Sequence, residues 1–186
     1  MPLTTYTAGE VLTASSLNSN LTAAGGLQFI KSQTIGAGVS SVTVTGAFST
    51  TYDNYKIIIS GGVASTSNTL DMTLGSTTSG YGRLQNLFSY NANTSLIDND
   101  NFTSAIVPVA GGTVNGLSGS VEVFQPFAAK ATSFYGTFQQ LLAGVTYGVR
   151  QVTGALLNTT SYTEFKLTVS TGTITGGTIS VYGYAK

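Results

Sequence analysis

Residues 40–61, SSVTVTGAFSTTYDNYKIIISG, contain two strand patterns and a turn between them. In the first pattern, Val42 and Val44 alternate with Ser and Thr, which is typical of a strand with one buried face, because successive side chains point to opposite sides of a sheet. In the second, the consecutive isoleucines 57–59 place apolar side chains on both faces. Asp53 and Asn54 favour a turn, since their side chains bond the nearby backbone. The stretch therefore predicts antiparallel β-structure whose second strand is covered on both sides.

The same pattern of short strands continues from residue 27 to residue 186. The turns are rich in glycine, as at Gly61 and Gly62 or at Gly176 and Gly177. Many short strands with such turns, and no helical stretch long enough for a crossover, favour a sandwich or barrel over a parallel sheet. We predict an all-β, jelly-roll-like antiparallel β-sandwich. Its strands are expected near residues 28–35, 39–46, 55–60, 69–74, 82–89, 103–109, 117–124, 132–140, 146–153, 162–170 and 177–184.

Residues 1–26 differ from this body and are predicted to form an N-terminal arm with a short helix. Thr13 is a suitable helix cap, and Gly25 and Gly26 would end the helix. A helix of about ten residues is not stable alone in water, so the arm must pack on the body, a sister copy or another protein. The alternative is a frayed chain end. The candidate anchoring residues are Val11, Leu12, Leu17 and Leu21.

The composition excludes several functional classes. Charged residues make up only 8% of the 186-residue chain, the net charge is zero, and the seven Lys and Arg residues are scattered singly, so no basic stripe for nucleic acid is present. The chain has no cysteine and no histidine, which removes thiol chemistry and the commonest general base. No apolar run reaches the roughly 18 residues of a membrane span, and no signal peptide is recognisable. The chain is thus expected to be made in a cytoplasm, yet its uncharged polar surface is typical of a protein that works outside cells. A virus particle would account for both, because it assembles inside the host and acts outside it.

The acidic residues do not form a pattern that indicates catalysis. Glycosidases need two carboxylates that flank one bond. Glu122 and Glu164 lie in the middle of predicted strands, opposite the apolar faces, and are expected to be solvated. Residues 98–101, DNDN, are predicted to form a loop, which would be either a set of oxygen ligands for Ca²⁺ or, more simply, a polar turn. We therefore expect neither an enzyme nor a bound metal or cofactor.

The last strand, TISVYGYAK, has two differently composed faces. Ile179 and Val181 point to one side, and Tyr182 and Tyr184 point to the other. Tyrosine combines a large apolar ring with a polar tip, which suits an interface. Together with Ile58, these two tyrosines are candidates for a contact between subunits. The alternative is a second covered face within one chain.

A second group of aromatic residues lies close to several asparagines between residues 81 and 102. In such a loop, rings can stack on a sugar while amides bond its hydroxyl groups. The candidates for contact with a receptor polysaccharide are Tyr81, Tyr90, Asn91 and Asn93.

Three segments carry a resemblance to known proteins. Residues 7–18, TAGEVLTASSLN, resemble the opening of many bacteriophage tail-fibre and virion structural proteins. Residues 44–57, VTGAFSTTYDNYKI, are similar to a recurring motif of small virion proteins from tailed phages of cyanobacteria and aquatic bacteria. Residues 172–184, GTITGGTISVYGY, resemble the same group. The resemblance implies an all-β body, trimeric, that is attached to a virion through its N-terminal arm.

Together these observations predict a non-enzymatic structural component of a phage particle, foremost a short trimeric tail fibre. A capsid decoration or head-fibre protein and a carbohydrate-binding receptor module are the alternatives. The expected partners are sister copies in a homotrimer, virion proteins that receive the arm, and host surface polysaccharide. Neither nucleic acid nor membrane insertion is expected. The expected location is the virion, assembled in the host cytoplasm.

Overall fold

A computed structural model of the chain describes residues 5–23, 25–66, 68–90, 95–103, 107–112, 116–142 and 146–186. In this part, one helix, α1 (Ala14–Ala23), precedes the strands. The strands are β1 (Leu27–Thr34), β2 (Ser41–Val44), β3 (Asn54–Gly61), β4 (Val63–Ala64), β5 (Asn68–Leu74), β6 (Tyr81–Ser89), β7 (Ser95–Thr103), β8 (Val107–Gly112), β9 (Leu117–Phe124), β10 (Thr132–Leu142), β11 (Thr146–Leu156), β12 (Phe165–Val169), β13 (Ile174–Thr175) and β14 (Thr178–Tyr184). Among the described residues, no helix has the length and apolar character needed to span a membrane.

The strands form two antiparallel sheets that pack as a sandwich. The large sheet has eight strands in the order β1-β14-β3-β9-β10-β11-β6-β7, and the small sheet has four in the order β2-β12-β5-β8. A two-stranded ribbon of β13 and β4 lies beside them. The all-β, antiparallel sandwich predicted from the sequence is confirmed.

The order of the strands is that of a jelly roll with two insertions. The chain alternates between the sheets so that β1-β14-β3-β9 face β2-β12-β5-β8, as two interlocked Greek keys require. The hairpin β10-β11 is inserted after β9, and the hairpin β6-β7 is inserted between β5 and β8. Both hairpins extend the large sheet, which therefore has twice as many strands as the small one.

The core is formed by the alternating apolar residues of both sheets. On β3, Tyr55, Ile57 and Ile59 are buried, and on β12 the buried residues are Phe165, Leu167 and Val169. The side chains between them point away from the core, so each strand contributes one face to the sandwich. Among the residues that the structure describes, twenty-five buried apolar residues form a single cluster, which a chain of this size can sustain without disulfides.

The segment that joins β2 to β3 crosses from one sheet to the other. β2 pairs with β12 and β3 pairs with β14 and β9, so the two strands of residues 40–61 do not form a hairpin. Tyr55 fixes the crossing: its hydroxyl accepts a hydrogen bond from the Ser49 amide and donates to the Ser49 carbonyl, both at 2.8 Å. Phe48 meets the Tyr55 ring edge-on, with 4.8 Å between the ring centroids. The turn thus connects the two sheets at the surface, and the buried Phe48 and Tyr55 at its ends hold it to the core.

Some sequence predictions need correction. The strand expected at residues 103–109 is replaced by the end of β7 and the beginning of β8, and residues 104–106 lie outside the described residues. The predicted loop at residues 98–101 is part of β7, which pairs with β6, so its interpretation as a turn or a calcium loop is wrong. Ladder hydrogen bonds to β6 override the low strand propensity of Asp and Asn. The short strands β4 and β13 were not predicted.

Two glycine pairs allow the turn after β3 to lie against the turn before β14. Gly61, Gly62, Gly176 and Gly177 all have positive φ angles, between 71° and 94°. A Cβ atom on Gly62 would overlap the Gly176 carbonyl oxygen, and one on Gly177 would lie 2.7 Å from the Gly61 carbonyl oxygen. The backbones approach this closely only because neither residue has a side chain.

We expect Gly62→Ala to destabilise the protein more than Gly46→Ala. Both positions have positive φ, at 75° and 62°, but no atom lies within 4 Å of a Cβ built on Gly46. Gly46→Ala should therefore cost about 1 kcal/mol for the left-handed backbone alone, and Gly62→Ala about 3 kcal/mol or more because the Gly176 carbonyl must also move. Urea unfolding of the two variants measures the difference. Equal losses would show that the two turns are not held in contact.

Candidate functional site

The side of the large sheet that points away from the core is called here the outer face. Strand pairing brings one residue from each of seven neighbouring strands into a row across it. Apolar and aromatic residues occupy both ends of the row, and a charge pair lies near its middle. The row consists of Phe29, Tyr182, Lys56, Glu122, Tyr135, Thr153 and Leu84.

Exposed apolar side chains are concentrated on the outer face. Phe29 is 61% exposed and Ile97 is 71% exposed, although both lie in regular strands. Of the twelve large apolar residues that are exposed in the described part of the chain, six lie on this face. They are Leu27, Phe29, Leu84, Phe88, Ile97 and Tyr135. A concentration of this kind, within one sheet face, is typical of a surface that contacts another molecule.

The charges of the outer face neutralise one another. The Lys56 ammonium lies 3.5 Å from the Glu122 carboxylate, and both side chains are largely shielded, at 28% and 29% exposure. The Tyr184 hydroxyl donates a hydrogen bond to Glu122 Oε1 at 2.7 Å. Desolvation, then the hydrogen bond and negative charge of Glu122, raise the pKa of Tyr184 to about 12. Tyr184 therefore stays protonated and keeps donating throughout the physiological range.

A shallow depression of about 400 Å³ lies beside this charge pair. Ile58 forms part of its lining, and the neighbouring strands contribute Ser118, Ser120 and Thr137, whose side chains are too short to fill the space. The three residues predicted for a subunit contact, Ile58, Tyr182 and Tyr184, all lie on the outer face. Their role in an interface stays a prediction.

The N-terminal segment presents apolar side chains of its own. The predicted helix and its cap are confirmed. Thr13 directly precedes α1, and its Oγ1 accepts a hydrogen bond at 3.2 Å from the amide of Ser16 in the first turn of the helix. Val11, Leu12 and Leu17 are exposed, at 82%, 51% and 42%. The side chain of Leu21 lies outside the described residues. The three described anchoring candidates are thus free to meet a partner.

The predicted receptor residues do not form one site. Tyr81 is only 1% exposed; its hydroxyl accepts from the Leu74 amide at 2.7 Å and donates to the Thr77 carbonyl at 3.1 Å. Burial raises its pKa to about 12. The prediction that Tyr81 contacts a receptor is wrong, because it begins β6 on the core side. Tyr90 is exposed, and Asn91 and Asn93 lie outside the described residues.

The small sheet carries a polar cleft of about 520 Å³ on the side opposite its core face. Its charged lining residues are Asp71 on β5, Lys166 on β12 and Glu164, which directly precedes β12. The rest of the lining is made of small or hydroxyl residues: Thr43, Thr73, Gly75, Ser76, Thr78 and Thr168. Sequence reasoning missed this cleft. The sequence feature that could have indicated the cleft is the alternation of charged residues with threonine on the non-core side of residues 71–74 (DMTL) and 164–168 (EFKLT).

Strand register separates the two carboxylates of the cleft. Asp71 pairs with Thr168, Thr73 pairs with Lys166, and the Gly75 amide donates to the Glu164 carbonyl. Asp71 and Glu164 are thus offset by four residues, or about 13 Å along the sheet, with Lys166 between them. Glycosidases place their two carboxyl groups about 5 to 9.5 Å apart across one bond. This spacing suits binding along a cleft better than cleavage of a glycosidic bond.

Two groups in the cleft are largely removed from water. Burial raises the pKa of Asp71 above its ordinary value, while the positive charge of Arg83 and a hydrogen bond with Thr69 act in the opposite direction. Thr73 is only 8% exposed, although it lines the cleft. No group of three or more potential metal ligands occurs among the described residues. The side chains that line the cleft offer hydrogen-bond donors and acceptors.

We compared the chain with protein-family models, curated proteins and solved structures, and none of the three comparisons gave a match.

Asp71→Asn should stabilise the protein at neutral pH. Because the folded-state pKa is raised above 3.8, the folded chain holds the Asp71 proton more tightly than the unfolded chain does. Stability is therefore lost as the pH rises through the window between 3.8 and the raised pKa, and the buried carboxylate keeps this cost above the window. Asp71→Asn has no carboxylate to bury, so its free energy of unfolding does not fall in this pH window. Its higher stability relative to wild type should therefore disappear in acid, where Asp71 is protonated.

Urea unfolding across a pH series measures this effect. Asp53→Asn is the control, because the Asp53 side chain is 62% exposed and its ion pair with Lys186 lies at the surface, where such pairs contribute little. A variant at Asp71 that is less stable than wild type at neutral pH would contradict the expectation. It would mean that the attraction to Arg83 outweighs the cost of burial.

Proposed function

We propose that this protein is a non-enzymatic structural component of a phage particle. In this proposal it assembles as a homotrimer through the outer face of the large sheet, and its N-terminal arm anchors it to other virion proteins. A short tail fibre is the form that the three sequence segments favour. The observation that carries the proposal is the outer face itself: a wide, electrically neutral sheet surface with half of the exposed large apolar residues of the described chain.

The area of this face is appropriate for a specific contact. Eight strands span seven spacings of about 4.8 Å, and strands of about eight residues are about 26 Å long, which gives roughly 900 Å². A standard protein interface buries about 800 Å² on each partner. One sheet face of this chain is therefore large enough for self-association.

The charge of the face suits contact with an identical copy. In an interface between copies, each copy brings the same charges, so an unpaired charge would meet its like near the symmetry axis. Here Lys56 and Glu122 are the only charged residues that strand register assigns to the outer face among the described residues, and they pair with each other. The remaining groups are apolar or uncharged. Sister copies thus approach without net repulsion.

Ser120→Asp should dissociate the assembly. Ser120 lines the depression beside Ile58 on the outer face, where an aspartate would place one unpaired carboxylate per copy in the contact. Ser41→Asp is the matched control, since Ser41 lies on β2 of the small sheet. Light scattering at micromolar concentration should give three times the chain mass for wild type and Ser41→Asp, and the mass of a monomer for Ser120→Asp.

Two outcomes would count against this assembly. A monomeric mass for wild type at micromolar concentration would show that the chain does not self-associate. An assembly that persists in Ser120→Asp, with unchanged mass, would place the contact on a different surface.

Deletion of residues 1–25 should leave the body folded but prevent its incorporation into particles. Gly26 is kept because its carbonyl accepts a hydrogen bond from the Ala185 amide at 3.0 Å. The thermal unfolding midpoint of the truncated protein should change by only a few degrees, since Val11, Leu12 and Leu17 of the arm are exposed. Incorporation is measured by complementation of a particle that lacks the protein. Normal incorporation without the arm would refute the anchoring role.

A further inference from the structure

The polar cleft on the small sheet is held by rigid elements. Lys166 and Thr168 lie on β12, Asp71 and Thr73 on β5, and Thr43 on β2, while Ser76 and Thr78 come from the turn after β5. β12 pairs with both neighbouring strands, so the spacing of these side chains is fixed by backbone hydrogen bonds. The volume of about 520 Å³ lies within the range of about 300 to 1,000 Å³ that small-molecule sites occupy.

Several polar groups in the cleft have unused hydrogen-bonding capacity. The side chains of Glu164 and Lys166 form no hydrogen bond or ion pair with the described residues, although they line the same cleft. Thr73 is more than nine-tenths buried as a residue, and it lines the same cleft between Asp71 and Gly75. Polar groups that line a cleft without an internal partner can exchange their hydrogen bonds with water for bonds to a ligand.

The order of the charges selects a neutral ligand. A cation attracted to Asp71 or Glu164 would meet the Lys166 ammonium between them, and an anion attracted to Lys166 would meet a carboxylate on either side. A neutral molecule with many hydroxyl groups avoids both repulsions, because each hydroxyl can donate to a carboxylate and accept from an ammonium or a threonine.

We propose that this cleft binds a neutral saccharide of one or two sugar units. The hydroxyl groups of one sugar unit would donate to either the Asp71 or the Glu164 carboxylate and accept from Lys166 between them, and a second unit would reach the other carboxylate, while Thr73 and Thr168 contact the ligand from the floor. None of the described residues that line the cleft is aromatic, so binding rests on hydrogen bonds without stacking, and each site is weak. The cleft is carried by the small sheet and the outer face belongs to the large sheet, so assembly through the outer face leaves the cleft open.

The sugar-binding site itself does not rest on the proposed function. Strong attachment to a surface that displays sugars does rest on it, because it requires several sites in one trimer. Three weak sites in one trimer would act together on a surface that displays repeated sugars, which raises avidity without any new contact. The experiment therefore uses free monosaccharides, which report on each site independently of assembly.

Saturation-transfer NMR tests the proposal with the full chain and a panel of free sugars. The neutral probes are glucose, galactose, mannose, rhamnose and N-acetylglucosamine, and the acidic probe is glucuronic acid. At least one neutral sugar should show transfer, and glucuronic acid should not. In titrations with the sugar that binds, Lys166→Met and Thr73→Val should each weaken binding about tenfold or more, because each removes hydrogen bonds to the ligand and leaves the strand intact.

Two controls connect the binding to this cleft. Glu122→Gln removes a carboxylate from the outer face and should leave the sugar affinity unchanged. Ser120→Asp should also leave it unchanged, even if it dissociates the oligomer, so the failure of the assembly proposal is distinguishable from the failure of this one. Far-UV circular dichroism confirms that each variant is folded.

Three results would overturn the proposal. They are the absence of transfer for every neutral sugar, transfer for glucuronic acid alone, and binding that folded Lys166→Met and Thr73→Val variants retain in full. A loss of sugar binding in Ser120→Asp would also overturn it, because the site would then depend on the contact between subunits.

Discussion

A sheet has two faces, and this sandwich covers only one face of its large sheet. The inner residues of β3, β9 and β14, such as Ile57, Val121 and Val181, are completely buried against the small sheet. Their neighbours in sequence point outward, and no layer of the described chain covers them. Stable folds usually bury apolar sheet faces against a second layer. The apolar residues of the outer face are therefore the consequence of a two-layer fold whose larger layer remains uncovered on one side.

Alternation of apolar and polar residues predicted most of the strands and the faces of their side chains. It correctly placed Ile58, Tyr182 and Tyr184 on the side of their strands that faces away from the core, because a period of two determines this from the sequence alone. It gave no information on which strands pair with each other. β2 and β3 follow one another in sequence with a turn between them, yet they belong to different sheets, because strand pairing depends on contacts between distant segments.

The same limit explains why the polar cleft was missed and Tyr81 was misplaced. Asp71 and Thr168 become neighbours only when β5 pairs with β12, and almost a hundred residues separate them in sequence. Tyr81 was assigned to a loop because asparagines follow it, but its hydroxyl satisfies the Leu74 amide inside the core. Residues 98–101 show a third case, in which ladder hydrogen bonds to β6 outweigh local preference.

The two inserted hairpins determine what the large sheet can do. A jelly roll alone would give this sheet four strands, or a face of about 380 Å², which is less than half of what a standard interface buries on each partner. The hairpins β10-β11 and β6-β7 enlarge the face to roughly 900 Å² and contribute four of its six exposed apolar residues, Leu84, Phe88, Ile97 and Tyr135. They add nothing to the small sheet, whose polar cleft stays narrow and open. The same insertions thus separate a broad surface suited to assembly from a small surface suited to recognition.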